Sequence, residues 1–279
     1  MGIHQFRNRI IKDISPYVEF VDSFCDDPNF SDPHLLMKQE KEESIIDWIN
    51  RPDRFCLLVK EEGTAQGIFL FLLIPEERYI EMLMGISRSP EAIEEALDYL
   101  DSNYKGYNVD FVFNPKWLMF QKALEKRRAT FGIEQQRMVY SHKEIKEIVD
   151  DIQLYSDQYK EQYMDIHDDS ERYWTAEKTI EAKDRFNIFL AIENNKVVGY
   201  IDVSNCFKEN EPYDLFVIEE YRNRGIGRKL LLNALKENEP NDMMLLVDID
   251  NKSAIKLYES VGFVKKENFN MLTAHWVTD

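Results

Sequence analysis

Three cysteines, Cys25, Cys56 and Cys206, are all that the 279 residues contain, and they lie far apart. No Cys-x-x-Cys pair and no Cys/His pair has metal-ligand spacing, so neither a disulfide framework nor a zinc site is expected, and no metal is assigned. Long hydrophobic runs are missing too. The longest, GIFLFLLIP from Gly67, is far too short to cross a bilayer as a helix and reads as a buried strand. The opening MGIHQFRNRIIKD has no apolar stretch of the signal-peptide kind, and Phe6 stands where a myristoylation motif needs Ser or Thr. Cations are in deficit: 35 Lys and Arg face 52 Asp and Glu, a net charge of −17. Such a chain offers no broad basic face for nucleic acid. Its acidity suits a cationic substrate or serves only solubility. A reducing cytoplasm, with neither nucleic acid nor membrane as partner, is the expectation.

What is present is organised as a repeat. In the C-terminal half, DRFNIFLAIENNKVVGYIDVS (184–204) is two β-rich runs around Asn194-Asn195, a hairpin signal. PYDLFVI (212–218) is a third strand. GIGRKLLLNALKE sets Ile226, Leu230, Leu231, Ala234 and Leu235 on one helical stripe. MMLLVDID is a buried strand, NKSAIKLYESVGF a short helix closed by Gly262, and VKKENFNMLTAHW a last extended stretch. The N-terminal half follows the same order. DRFCLLVKEEGTAQGIFLFLL (53–73) opens with the same tripeptide, turns at Glu62-Gly63, and carries Gly67 opposite Gly199. RYIEMLMGI is its third strand, SPEAIEEALDYL a helix capped by Ser89 with Pro90 at its first position, and YNVDFVFN its buried strand. Asn114 then stands opposite Asn251. The offset between halves holds at about 131 to 137 residues, which marks a tandem duplication. Helical segments are expected ahead of each hairpin, at SPYVEFVDSF and KQEKEESIIDWI in the first half and near EIVDDIQLYSDQY and TAEKTIEAK in the second. With no Pro/Gly/Ser linker near Tyr140, the expected domains are 1–137 and 138–279.

The most unusual stretch is EEYRNRGIGRKLLL (219–232). It gathers Arg222, Arg224, Arg228 and Lys229 around Gly225 and Gly227 at the mouth of a helix. Helix N-termini expose unpaired N–H groups, and glycines admit a diphosphate to them. A P-loop would need Gly-Lys-Ser/Thr here, and a dinucleotide fingerprint a third glycine where Leu230 stands.

YRNRGIGRKLL, followed by NKSAIKLYESVGFV, resembles the GNAT superfamily of N-acetyltransferases. The family's acetyl-CoA signature, Gln/Arg-x-x-Gly-x-Gly/Ala, is met by Arg222, Gly225 and Gly227. Its Asn-x-x-Ala-x-x-x-Tyr helix ending in Gly-Phe is met by Asn251, Ala254, Tyr258, Gly262 and Phe263. The likeness is strong over about 180–279 and legible over about 53–140. It implies an α+β fold of two domains, each a twisted, mostly antiparallel sheet flanked by helices. The first half lacks the glycines and opens its helix with Glu91, Glu94 and Glu95. Trp117 stands at the Ala254 position and Gln121 at that of Tyr258. That half is expected to keep the fold without the cofactor site.

The resemblance further implies acetyl-CoA beside the third strand, along Phe216, Val217, Arg222, Asn223, Arg224, Gly225, Ile226, Gly227, Arg228, Asn251 and Tyr258. A backbone N–H near Val217 would serve the thioester carbonyl. Tyr258 would protonate the leaving thiolate, and Glu211 or Asp214 would take the amine's proton. Asp202 could anchor a cationic amine; His167 and His275 receive no role. Asn251 suits the cofactor or a plain helix cap. The expected activity is direct acetyl transfer to a primary amine, most simply a small molecule, by a monomer whose halves pair in place of a dimer interface. A protein lysine or N-terminus as acceptor, or a non-catalytic acyl-CoA-binding module, are the alternatives. The acidic segment YMDIHDDSERYW (163–174) belongs with the acceptor region.

Overall fold

The computed structural model describes residues 6–24, 27–32, 49–141, 145, 151–170, 174–207 and 209–279. The chain divides into two compact units, 1–136 with 267–279, and 137–266.

In the first unit, β1 (Phe6–Ile11), β2 (Arg54–Glu61), β3 (Thr64–Ile74), β4 (Tyr79–Ser87), β5 (Asn108–Phe113) and β6 (Thr130–Phe131) belong to one sheet. Helices α1 (Val18–Asp22), α2 (Pro90–Asn103) and α3 (Leu118–Lys126) flank it. Both faces of β2 and β3 are covered, which is why their sequences read as unbroken apolar runs. Phe55, Leu57, Val59, Phe69 and Phe71 pack with α2 and α3. Cys56, Leu58, Ile68 and Leu70 pack on the other side with Val21, Phe24 and Ile49. Ser89 caps α2, its side chain accepting from the Ala92 N–H at 3.1 Å.

The second unit repeats this plan with its strands in two sheets. β7 (Gln135–Tyr140), β11 (Glu209–Asn210), β13 (Asp242–Asp248) and β14 (Val264–Lys265) form one, in the order β11-β13-β7-β14. β8 (Ile152–Leu154), β9 (Phe186–Glu193), β10 (Lys196–Ser204) and β12 (Pro212–Val217) form the other, in the order β12-β10-β9-β8. Helices α4 (Lys160–Ile166) and α5 (Ala176–Glu181) pack on one face, α6 (Ile226–Glu237) and α7 (Lys252–Val261) on the opposite one.

The duplication shows at the level of single residues. Glu62-Gly63 and Asn194-Asn195 both take positive φ, at 48° and 90° and at 50° and 61°, the geometry of a two-residue hairpin turn. Each hairpin then carries a register shift at the same place. Gln66 is extra between the Val59↔Gly67 and Lys60↔Ala65 pairs, and Val198 between Val197↔Ile192 and Gly199↔Ala191. Gly199 follows the bulge because a Cβ there would lie 2.8 Å from the Phe216 carbonyl oxygen.

Three features depart from the sequence reading. Residues 152–154, expected as helix, form strand β8 against β9, with Ile152 opposite Ala191. An open sheet edge recruits this short run, and the 3-10 turn Asp157–Tyr159 then leads into α4; residues 147–150 of that segment lie outside the described ones. The N-terminal β1 was not foreseen. Its mixed charged and apolar residues suit an edge strand with one wet face. The third departure concerns the domain boundary. The last strand, β15 (Leu272–Val277), lies in the first unit's sheet between β5 and β6, pairing Leu272↔Phe113 through Val277↔Asn108. Residues 267–279 therefore belong with the first unit, not with 138–279. Conversely β7, the final strand of the first repeat, lies between β13 and β14. Each repeat has given its last strand to the other's sheet. KQEKEESIIDWI falls, up to Asp47 and Trp48, outside the described residues. Among those described, no helix is long and apolar enough to cross a membrane.

Trp276 is only 6% exposed in the first unit's core. Trp276→Ala should cost about 3–5 kcal/mol there. Hydrogen exchange should show protection lost in β5 and α3 and retained in α6 and α7. The reverse pattern would contradict the strand exchange.

Candidate active site

The second unit's two sheets part between β12 and β13, which have no hydrogen-bonded pairing with each other. β12 is thus an edge. Its outward groups follow from the alternation of antiparallel pairs. Ile218 donates its N–H to Val198 O at 3.0 Å, so Phe216 and Asp214 also bond across to β10. Leu215 and Val217 consequently turn their N–H groups toward the gap. Among the described residues no strand or isolated bridge covers β12 on that side.

The first unit closes the equivalent place. Register aligns Ser87 with Val217, since Gly67↔Ser87 and Gly199↔Val217 are matching pairs. Ser87 donates its N–H to Phe30 O, and Gly85 O accepts from the Asp32 N–H, both at 3.0 Å. Buried Ser31 bridges to Ile86. Trp117, fully buried, lies against Gly85 and stacks on Phe120. Backbone and indole occupy what is a gap in the second unit.

The two helix mouths differ in the same sense. α6 begins at Gly225 (φ 80°), with no side-chain cap and no acidic residue in its first turn. Lys229 N–H is the first to bond back, to Gly225 O at 3.0 Å, so the amides of Ile226 and Gly227 have no intrahelical partner. Gly227 faces Leu257, Leu215 and Val217; a Cβ there would sit 3.3 Å from Leu257. A longer side chain would fill the approach to β12. α2 instead has its Ser89 cap and Glu91. Its Glu94 is ion-paired with Lys126 at 2.6 Å and with Arg127, and Glu95 accepts from Asn8 at 2.6 Å.

The cations of 222–229 are partly engaged within the protein. Arg222 donates Nε to Val217 O at 2.9 Å and lies over the Phe216 ring. Arg224 holds Glu193 at 2.9 Å, and Lys229 meets Asp151 at 3.3 Å. The Arg224 and Lys229 pairs are exposed and worth at most about 1 kcal/mol each, so an anionic ligand can compete for those cations. Asn223 has positive φ (60°) in the same turn. Asn251 caps α7, accepting from Ala254 N–H at 3.1 Å.

Tyr258, Glu211 and Asp214 come together. Burial, then the charges of Asp214 and Glu211, push the Tyr258 phenol up to about 12, so it keeps its proton at neutral pH. Burial lifts Glu211 to about 6, with Arg137 opposing and Glu209 adding to the rise. Arg137 is itself buried and paired to Glu209 at 2.6 Å. Asp214 accepts from Tyr200 Oη at 2.6 Å. Glu211 is therefore a carboxylate poised to take a proton near neutrality, and Tyr258 a phenol poised to give one.

Sequence reasoning missed His167. It caps the C-terminal end of α4 with its side chain buried, Nδ1 at 2.7 Å from Asp169 and Nε2 at 3.2 Å from Asp202. Tyr163 donates to the same Asp202 oxygen at 2.8 Å. A histidine amid acids at a helix end was the available signal. His275 instead pairs with Asp110 at 2.7 Å in the first unit.

Residues 184–265 match the acetyltransferase (GNAT) domain family. A curated relative, the SPbeta prophage-derived uncharacterized N-acetyltransferase YokL of Bacillus subtilis (strain 168), is 32% identical over 102 residues, 34% of this chain and 56% of the relative. The chain thus spans about half the length of that relative. Among solved structures, a GCN5-related N-acetyltransferase from Sphaerobacter thermophilus aligns with a TM-score of 0.67 at 12% identity, covering 98% of this chain and 96% of its own. A tandem GNAT protein from the clavulanic acid biosynthesis pathway aligns with a TM-score of 0.57 at 11% identity and 99% coverage of both chains. At such identities the likeness is one of fold, and it extends over both units.

Because Arg137 stabilises the ionised form of Glu211, Arg137→Gln should raise the Glu211 midpoint above its value near 6. Carboxyl-carbon NMR titration reads this directly; an unchanged or lowered midpoint would show that the arginine does not act on it.

Proposed function

We propose, from the match of residues 184–265 to the acetyltransferase (GNAT) domain family, that the chain is an acetyl-CoA-dependent N-acetyltransferase acting on a primary amine, with its one working site in the second unit. The observation that carries this reading is the outward Val217 N–H at an open sheet edge, beside an uncapped glycine-opened helix and flanked by Glu211 and Tyr258.

The residues present fit the donor. The outward amides of Ile226 and Gly227 open an anion-binding helix mouth, to which Arg222, Arg224 and Arg228 add charge. Leu215, Phe216 and Val217 offer a strand edge along which an amide-bearing pantetheine arm can lie. Asn251 bounds the far side, its Oδ1 engaged as the helix cap. When bound, acetyl-CoA supplies the activated acyl thioester. The chain's own residues do the rest. Glu211 takes a proton from the acceptor ammonium, directly or through water, leaving an amine able to attack. Val217 N–H donates to the carbonyl oxygen as negative charge gathers on it. Tyr258 gives its proton to the departing sulfur, and its raised pKa keeps that proton available. Asp214, held by Tyr200, anchors the cationic acceptor.

The first unit on this reading binds no CoA, because Phe30–Asp32 and Trp117 take up the equivalent edge. Calorimetry with CoA tests the assignment of the site. Gly227→Glu should abolish binding, whereas Glu95→Ala in the first unit should leave it unchanged.

Free-thiol release over a panel of primary amines tests the chemistry. With the base required in its ionised form, kcat/KM should rise with pH through about 6 and then level, and Glu211→Gln should remove that rise. Tyr258→Phe should lower kcat about 100-fold at unchanged CoA affinity. Turnover on no amine in the panel, or full activity without the phenol, would refute the reading.

A further inference from the structure

Behind Asp214, the second unit buries a cluster to which the proposed function gives no role. Asp202 and Asp214 are direct cross-strand partners on β10 and β12. Two carboxylates in that relation repel one another. Asp202 is fully buried, and burial holds its carboxyl above the ordinary carboxylate value, with His167 and Tyr163 opposing the rise. Its Oδ1 is buried and has no hydrogen-bond partner among the described residues. Its charge therefore rests on two donors at Oδ2, Tyr163 Oη at 2.8 Å and His167 Nε2 at 3.2 Å. Asp214 Oδ2 lies 3.9 Å from the same imidazole nitrogen.

The opposite ring nitrogen decides the protonation. His167 Nδ1 is 2.7 Å from Asp169 Oδ1, an oxygen that also accepts from Ala176 N–H at 2.8 Å. Both edges of the ring thus face carboxylate oxygens. A neutral imidazole has one N–H, so its lone pair would confront a carboxylate; only the imidazolium donates on both sides. The ring plane is fixed as well, stacked on Tyr200 at 5.2 Å and met edge-on by Tyr163 at 5.3 Å. Burial works against the positive ring, but Asp202, Asp169 and Asp214 outweigh it, and the net direction is upward.

We propose that His167 is a positioning residue for the acceptor. It is a built-in imidazolium, clamped between Asp169 and Asp202, that lets the Asp202–Asp214 pair stay ionised and so keeps Asp214 presented, on Tyr200, as the anchor for a cationic amine. This rests on the acceptor side of the function proposed above. Among the described residues, the groups that bear on the ring are Tyr163 from α4, Asp169 from the following loop, Tyr200 and Asp202 from β10, and Asp214 from β12. Tyr258 and Glu211 lie beyond Asp214. As pH rises through the His167 pKa the clamp loses its cation, and acceptor affinity should fall with it.

The test has two arms on the full chain. Nitrogen-detected NMR of the imidazole rings should show one histidine with both nitrogens protonated at pH 7, titrating above the ordinary histidine range; Asp202→Asn should bring that titration down. In free-thiol assays with ethanolamine, putrescine, glucosamine and a peptide α-amine, His167→Gln should raise the acceptor KM about tenfold and leave the acetyl-CoA KM unchanged. Tyr200→Phe, which keeps the ring but removes the hydroxyl that Asp214 accepts from, should raise it in the same direction. A singly protonated His167 at pH 7, or a stoichiometric divalent metal in the purified protein (the three ligand atoms lie within 4.8 Å of one another), would overturn the imidazolium. Equal changes in both KM values would reduce His167 to a structural role. Absence of turnover in the wild-type protein would count against the proposed function, while the NMR arm would still decide the state of the ring.

Discussion

Val217 turns its N–H away from β10 at the edge of a sheet, and the second unit is organised around that group. The direction is set by the alternation that Ile218 and Val198 begin. The bulge at Val198 and the bare Gly199 let the two strands approach closely enough to hold it. On one flank α6 begins on a glycine with no cap of its own. On the other, β13 belongs to a different sheet. A backbone donor, a helix mouth and an apolar edge thus meet where the strands separate. On the function proposed above, removing any of these would leave a fold without a place for chemistry, as in the first unit. The same register there leads to Ser87, whose N–H is already satisfied by Phe30.

Polar side chains are distributed accordingly. On the α4–α5 face, Asp202, Asp214, Tyr163, Tyr200 and His167 form a hydrogen-bonded network that leaves Asp202 Oδ1 without a partner among the described residues. Near the gap, Glu211 is lifted by burial and restrained by Arg137, while Tyr258 is held protonated by burial and two nearby carboxylates. Carboxylates of one chain thus hold different protonation tendencies within a short distance, because burial and partners differ at each. The net charge of −17 does not set these local values.

Much of this was legible in the sequence, for physical reasons. Hairpins declare themselves through residues that tolerate positive φ, and Asn194-Asn195 and Glu62-Gly63 did so. Asn251 reads as a cap from its position alone. The contrast between a glycine-opened and a carboxylate-opened helix was visible in the letters. What stayed hidden depended on tertiary packing. His167 lies 35 residues from Asp202 in the chain, and the two meet only because α4 packs on β10. Phe30–Asp32 give no local sign of filling a cleft. The partners of Glu94, Lys126 and Arg127, come from another helix, so a carboxylate that reads as helix capping is an ion-pair member as well. A strand's alternation, finally, does not name the sheet it will join, and the fates of 135–140 and 272–277 could not be read from it.

That last feature bears on why a repeat without an open cleft is still there. After a duplication, a copy that loses its ligand site is ordinarily free to decay or to be deleted. Here β7 is chain from the first repeat and lies in the middle of the second unit's sheet, between β13 and β14. Asn114, the counterpart of the Asn251 cap, has meanwhile become a holder of the returning chain, donating to Asn268 O at 2.6 Å. On the function proposed above, selection on the second unit's site also preserves the first repeat, since a truncation at the repeat boundary would leave each fragment lacking an interior strand.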